Sequence, residues 1–407
     1  MCAVTLLGGY FLKARCSAPD ANQYRDLCYN DIQPLYGIRG VQEGTFPYVD
    51  GRLEDGELVD GAIEYPVLTG VFMWFAGRLT SADHTQYLTV TALLLAPFGL
   101  LSAHLLGRLS GRRALLFAAA PAIVLYAFHN WDLLAVAAVV GGLWAWRSRH
   151  FEWAAVLFAI GAALKMYPAL FLVPLALYRW REGDRRGAIS AFVVGAATFV
   201  AINLPFALAN FDGWWATYEF HSNRLPNYDT IWLLGLTPSG NVRWSPDVFN
   251  VLTSALIVAS FALAIYLGWK RSVVKDVPYP FLQVCGAALV AFLLWNKVHS
   301  PQYVLWLLPF FVVLRVHIGW WVAYSLADLA VYVGVFRWFY DFGAGRTVEE
   351  MTGAKALLLA GIWLRALLLV ALFVVFLGAR SALGRGADHA LSSPVPPRLE
   401  WVGERPV

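Results

Sequence analysis

Apolar runs long enough to cross a lipid bilayer recur about every 20 to 30 residues along this chain, and that recurrence limits the fold more than any other feature. A hydrocarbon core about 30 Å thick leaves no water for unpaired backbone groups, so only helices and closed barrels span it. The strict apolar–polar alternation of a barrel strand is absent, and the runs therefore predict helices. Composition agrees: 59% of residues are hydrophobic, 14% are charged and the mean hydropathy is +0.57, against about a quarter charged in a soluble domain. The predicted class is an all-α polytopic membrane protein.

The predicted apolar segments are 1–12 (partial), 65–79, 85–106, 114–128, 131–147, 151–164, 169–180, 187–209, 248–269, 279–295, 302–315, 319–339 and 354–379. Segment 1–12 is about half a spanning helix and lacks a basic n-region or cleavage site, so a first helix cut short, or one beginning upstream, is expected. The net charge is only +4, and Lys and Arg cluster in short loops, which reports topology and gives no reason to invoke a nucleic-acid partner. Placing the basic loops 108–113, 147–149, 179–186, 270–275, 315–317 and 380–385 in the cytoplasm puts 129–132, 165–168, 210–246, 296–302 and 340–353 on the other face. The Asp-rich stretch 13–64 joins them there if the 15-residue run 65–79 dips into the membrane without crossing it. Residues 1–380 thus form one membrane domain, with a long first outer loop (13–64), a second (210–246) and short hairpins that turn back near the boundary. The Pro- and Gly-containing segment 381–407 is expected to be a disordered cytoplasmic tail. Cys16 and Cys28 share the first loop and can pair if it faces an oxidising compartment; unpaired loop thiols are the alternative.

Chemistry is sought where polar groups interrupt this apolar background. Asp26 and Asp31 stand five residues apart in the first loop, and a carboxylate held at an interface can accept a proton from a substrate hydroxyl. Solvation, or capping of a juxtamembrane helix, is the competing role. Glu64 and Tyr65 precede Pro66, which suits a helix start, and can line the same site. Asn130 and Asp132 on one hairpin tip face Lys165 and Tyr167 on another; ionisable groups at such depth are costly and point to function. Asp132 and Lys165 either form a structural ion pair or leave Lys165 to balance a lipid phosphate. The densest later cluster runs from Trp295 to Tyr303, where Asn296, Lys297, His299 and Gln302 offer a point charge and donors suited to a phosphodiester, or a snorkelling interfacial loop. His221 and Arg224 lie in 210–246, among aromatics that suit sugar stacking or an interfacial belt. No EF-hand, HExxH or phosphate-binding glycine loop is present, so no metal site is expected, and any donor must reach the site through the membrane.

In order and spacing, Asp31-Ile32 with Tyr36, Glu64-Tyr65-Pro66, the run Ala163 to Leu170 and Asn296 to Tyr303 before Leu307-Leu308-Pro309 are similar to one family. The chain resembles the actinobacterial polyprenol-phosphate-mannose-dependent mannosyltransferases of glycosyltransferase family 87, in the GT-C superfamily. The resemblance implies a GT-C-like helical bundle in the bacterial plasma membrane, acting on its extracytoplasmic face. It implies a polyprenyl-phosphate-linked hexose donor, mannose by family, and a glycolipid or polysaccharide acceptor; arabinose or glucose on the same carrier keeps the fold and changes the sugar. Asp31 matches the family's base, transfer inverts in one displacement, and neither metal nor cofactor is required. A lipid or saccharide transporter or flippase is the alternative, since scattered intramembrane charge suits it equally; such proteins usually carry repeated halves, and none is visible here.

Overall fold

The computed structural model describes residues 1–16, 19–20, 22–81, 83–239, 244–347, 350 and 352–384. The predicted all-α class is what is observed. In chain order the helices are α1 (Cys2–Ala14), α2 (Asn22–Arg25), α3 (Ile32–Ile38), α4 (Val67–Gly77), α5 (His84–Ser110), α6 (Leu115–Ala118), α7 (Pro121–Tyr126), α8 (Asp132–Arg147), α9 (Phe151–Leu164), α10 (Leu172–Arg181), α11 (Arg185–Ala209), α12 (Phe211–Asn223), α13 (Pro246–Val274), α14 (Phe281–Trp295), α15 (Val304–Val313), α16 (Ile318–Gly343) and α17 (Thr352–Gly378). Two minimal antiparallel pairs accompany them: β1 (Arg52–Glu54) with β2 (Glu57–Val59), and β3 (Leu314–Arg315) with β4 (Arg380–Ser381). Helices of membrane-crossing length and composition occupy 84–118, 185–209, 246–274, 318–343 and 353–378.

The helices divide by where their apolar surface goes. Along α8, α14 and α15 nearly every residue is buried, so these helices are apolar all round because protein surrounds them. On α11 and α13 the large apolar side chains are exposed instead, including Phe192, Leu208, Val251 and Val258. In hydrocarbon such exposure costs nothing, which identifies these two as lipid-facing helices at the edge of the bundle.

Helix α4 has 11 residues, about 16 Å at 1.5 Å per residue, roughly half of what a crossing requires. Both of its ends are tied to the first loop. Tyr48 Oη donates to the carbonyls of Tyr65 and Pro66 at its start, while Trp74 donates to Gly44 O and Thr80 Oγ1 meets Tyr36 Oη at its end. Helix α5, with 27 residues, makes the crossing that follows.

The basic segments gather at the far end of the bundle from this loop. Arg113 donates to the carbonyls of Phe311, Val312 and Leu314, satisfying orphan acceptors at the end of α15. Arg271 reaches Leu377 O, and Arg181 bridges to Asp276. The chain after α17 is also held there: Ala382 N–H donates to Val313 O and Gly384 N–H to Leu109 O. Four residues of the segment expected to be a free tail, 381–384, are therefore docked, because strand pairing and main-chain bonds give their backbone partners; 385–407 lie outside the described residues.

Helix α12 packs directly on the first loop. A Cβ at Gly213 would run into the carbonyl oxygens of Tyr48 and Gly51, and Asn210 caps the helix while donating to Gly51 O. Gly213→Ala is expected to destabilise the protein by about 1–3 kcal/mol, the usual cost of overpacking. Gly378→Ala, which meets open space, should leave thermal unfolding of the solubilised protein unchanged or slightly raised.

Candidate active site

Asp31 is the N-cap residue of α3, yet its carboxylate does not cap that helix. Asn30 Oδ1 accepts from Gln33 N–H instead, at 2.9 Å, which frees Asp31 to point elsewhere. The turn leading to it is fixed on several sides. Cys16 and Cys28 are disulfide-bonded with their Cα atoms 6.2 Å apart, Cys28 N–H donates to Gln23 O, and Leu27 takes a φ of +58°, an uncommon conformation for a large side chain. Tyr332 Oη donates to Leu27 O and Asp31 N–H to His129 O, so contacts from distant segments hold the turn in place.

The carboxylate projects into a cavity of about 460 Å³ whose walls include Tyr29, Glu64, Tyr65, His129, Asn130, Lys165, His221, Arg224 and Gln302. Asn130 joins its two nearest walls: Nδ2 donates to Asp31 Oδ2 and to Tyr65 Oη, each at 2.7 Å. Only 20% of the Asp31 side chain is exposed. Burial pushes its carboxyl above the ordinary carboxylate range, against the opposing pull of Asn130, Tyr29, Lys165 and Lys13. Glu64 is paired with Arg39 at 2.7 Å.

A second cavity of about 510 Å³ adjoins the first. The two share Glu64, Tyr65, Lys165, His221, Val298 and Tyr303 as a common wall. The rest of the second is more apolar, with Met166, Tyr167, Phe292 and Trp306 on one side and Thr253 and Ile257 of lipid-facing α13 on another. Tyr167 stacks on Trp306 with ring centroids 4.2 Å apart. Lys165 stands in the common wall because α9 ends there, before Pro168. Its ammonium is 3.7 Å from Asp132 Oδ1 and 4.3 Å from the centre of the Tyr65 ring. Asp132, which also accepts from Trp306 Nε1 at 2.7 Å, lies behind Lys165 and lines neither cavity. The ion pair and the cavity-facing cation are thus one arrangement.

The structure separates other residues that the sequence grouped. Asp26 is half-buried, paired with Arg25 at 2.9 Å, and lines neither cavity. Lys297 lines the second cavity, but its ammonium donates to Ser222 O and Arg224 O at 3.0 and 2.8 Å, and burial with Arg224 nearby lowers its pKa to about 8. His299, two residues on, faces the opposite way: its Nδ1 lies 2.7 Å from Leu293 O and its ring borders a small void of about 10 Å³ with Asn296, Asp229 and Arg365. Asn296 reaches both that void and the second cavity. Gln302 lines the first cavity, and its buried Oε1 has no hydrogen-bond partner among the described residues, while Arg224 donates to Asn227 Oδ1. Sequence reasoning passed over His129, Tyr29 and Arg39 as site residues. His129 opens the tip that holds Asn130 and Asp132, and that position was the available signal. Among the described residues no three His, Cys, Asp or Glu side chains gather as metal ligands.

Bilayer-crossing helices around paired polar and apolar cavities define an integral membrane protein whose candidate site residues meet at one end of the bundle. The chain belongs to glycosyltransferase family 87, which it matches over residues 63–296, more than half its length. It is therefore a membrane glycosyltransferase, acting between a sugar donor and an acceptor, and the transporter alternative is not favoured. No curated protein matches the chain.

His221 supplies a test of this geometry. Its Nε2 lies 2.8 Å from Glu64 O, and burial, then Arg224, lowers its pKa to about 4. Between the ordinary value near 6.5 and about 4, the unfolded imidazole binds a proton that the folded one refuses, so stability falls as pH falls through that window. Thermal unfolding midpoints should drop more steeply on acidification in the unaltered protein than in His221→Gln.

Proposed function

We propose that the protein moves a hexose, mannose in the first instance, from a polyprenyl-phosphate carrier to a glycolipid or polysaccharide hydroxyl by a single inverting displacement. The observation that carries this reading is the common wall: a polar cavity holding Asp31 and an apolar one reaching lipid-facing α13 meet at Lys165, Tyr65 and Tyr303. In this reading the acceptor occupies the first cavity and the donor's lipid the second, with the sugar between them. The acceptor oxygen attacks the anomeric carbon as its proton passes to Asp31, the carbon–oxygen bond to phosphate breaks, and polyprenyl phosphate leaves as the anion. Lys165 is the cation nearest that phosphate, with Arg224 on the acceptor side; Lys297 acts by fixing the end of α12. The expected roles of Glu64, Tyr65, Asn130, His221, Asn296 and Gln302 become orientation of the two substrates, while Asp26 and His299 contribute less directly.

An extracytoplasmic site in a bacterial plasma membrane is supported by two features. Basic segments cluster at the end of the bundle away from the cavities, and Cys16–Cys28 is the kind of bond an oxidising compartment maintains. The GT-C-type, actinobacterial assignment accords with the family and with a donor delivered in lipid.

Membranes containing the protein, given radiolabelled polyprenyl-phosphate mannose, should pass label to an endogenous acceptor; label moved only from the arabinose or glucose analogue would revise the sugar. Asp31→Asn should reduce transfer about 10²–10⁴-fold while insertion and donor binding persist, and near-normal turnover would remove Asp31 from the mechanism. Because the base works ionised and burial raises its pKa, activity should fall on acidification at a pH above the ordinary carboxylate value of about 3.9. Lys165→Gln should raise KM for the donor at least as much as it lowers kcat.

A further inference from the structure

Behind the cavity wall, polar side chains from α1, the α7–α8 turn and α16 form a buried line ending at Asp31. Lys13 belongs to an apolar helix and is wholly buried. Its ammonium lies 2.7 Å from Tyr29 O, 3.2 Å from Tyr332 Oη and 3.3 Å from His129 Nδ1. Three N–H donors thus meet three acceptors, since Tyr332 gives its own proton to Leu27 O and keeps its lone pairs free. His129 Nδ1 also lies 3.1 Å from Tyr29 O; a proton on Nδ1 would face the hydrogens of the ammonium, so with Lys13 charged both Nδ1 and Tyr29 O accept from it and the imidazole carries its proton on Nε2. That nitrogen is 4.0 Å from Asp31 Oδ2, a separation that a small closure on substrate would convert to a hydrogen bond. Burial and the neighbouring Lys13 also hold the imidazole pKa well below its ordinary value, so the ring stays a neutral donor.

We propose that Lys13 and His129 are positioning residues for the base: Lys13 selects the His129 tautomer, and the resulting Nε2–H orients the Asp31 carboxylate and favours its ionised form. A buried ammonium in an apolar helix is costly, and carbonyl bonding alone does not account for its contact with an imidazole beside the carboxylate. The other groups facing Asp31 are Tyr29, Asn130 and Lys165, with Tyr65, Glu64 and Asp132 beyond them. This proposal rests on Asp31 being the base.

The test is an infrared titration of the Asp31 carboxyl in full-length protein in nanodiscs, its band identified by subtracting the Asp31→Asn spectrum. Lys13→Met and His129→Leu should each move its midpoint upward, by about one pH unit for loss of a nearby charge or donor, and move the acidic limb of the rate profile with it. His129→Gln, which keeps an amide donor, should restore most of the shift. If Lys13→Met fails to insert, Lys13→Gln removes the charge while keeping a polar contact to Tyr29 O. An unmoved midpoint in these variants overturns the proposal, whatever happens to the rate. Full transfer by Asp31→Asn would instead overturn the assignment of the base, and the titration would still report whether Lys13 and His129 act on Asp31.

Discussion

A carboxylate taken almost out of water, beside cations that must also be compensated, is the constraint around which the cavity end of this bundle is arranged. Asp31 is held by the Asn130 amide, faced by His129 and opposed at longer range by Lys165 and Lys13. Every one of those groups needs partners of its own. Asn130 also donates to Tyr65, Lys165 leans on Asp132, Asp132 accepts from Trp306, and Lys13 spreads its three protons over Tyr29, His129 and Tyr332. Burial of one charge thereby fixes the tips of several helices relative to one another.

The same logic explains why both cavities sit at helix ends. Backbone that leaves a helix inside a bilayer must find partners in protein, and the breaks near 127–131, 164–166 and 296–300 find them in the first loop, in α4 and in the second loop. Asp31 N–H takes the His129 carbonyl, Asn227 N–H takes Lys297 O, and Thr69 Oγ1 takes Leu164 O. The irregular segments that line the cavities are therefore also held in place by other parts of the chain. At the opposite end, arginines satisfy helix carbonyls directly.

Much of this was legible in the residues. Apolar runs gave the apolar helices nearly one for one, because a helix surrounded by lipid or by protein is apolar along its length whether or not it crosses. The polar tips stood out because ionisable groups are rare at that depth, and Asn130, Lys165 and Glu64 do share a cavity with Asp31. Ranking within a tip was another matter. Asp26 and Asp31 read alike as loop carboxylates, and only folding leaves one half-buried with Arg25 and draws the other beneath Asn130. Lys297 and His299 read as one phosphate grip, yet a turn of backbone sends their side chains to different voids. Lys13 opens the stretch read as the first outer loop, although its side chain turns inward to Tyr29 and His129.

The sequence alone determined that the chain lies in a membrane as helices and where polar and charged groups interrupt them, because hydropathy and charge are summed along the chain and need no partner to be read. Tertiary structure decided which carboxylate is buried, which cation faces it and how two cavities come to share a wall. Those outcomes depend on desolvation and hydrogen-bond geometry between residues about a hundred or more positions apart, a distance over which sequence spacing carries no angle or direction.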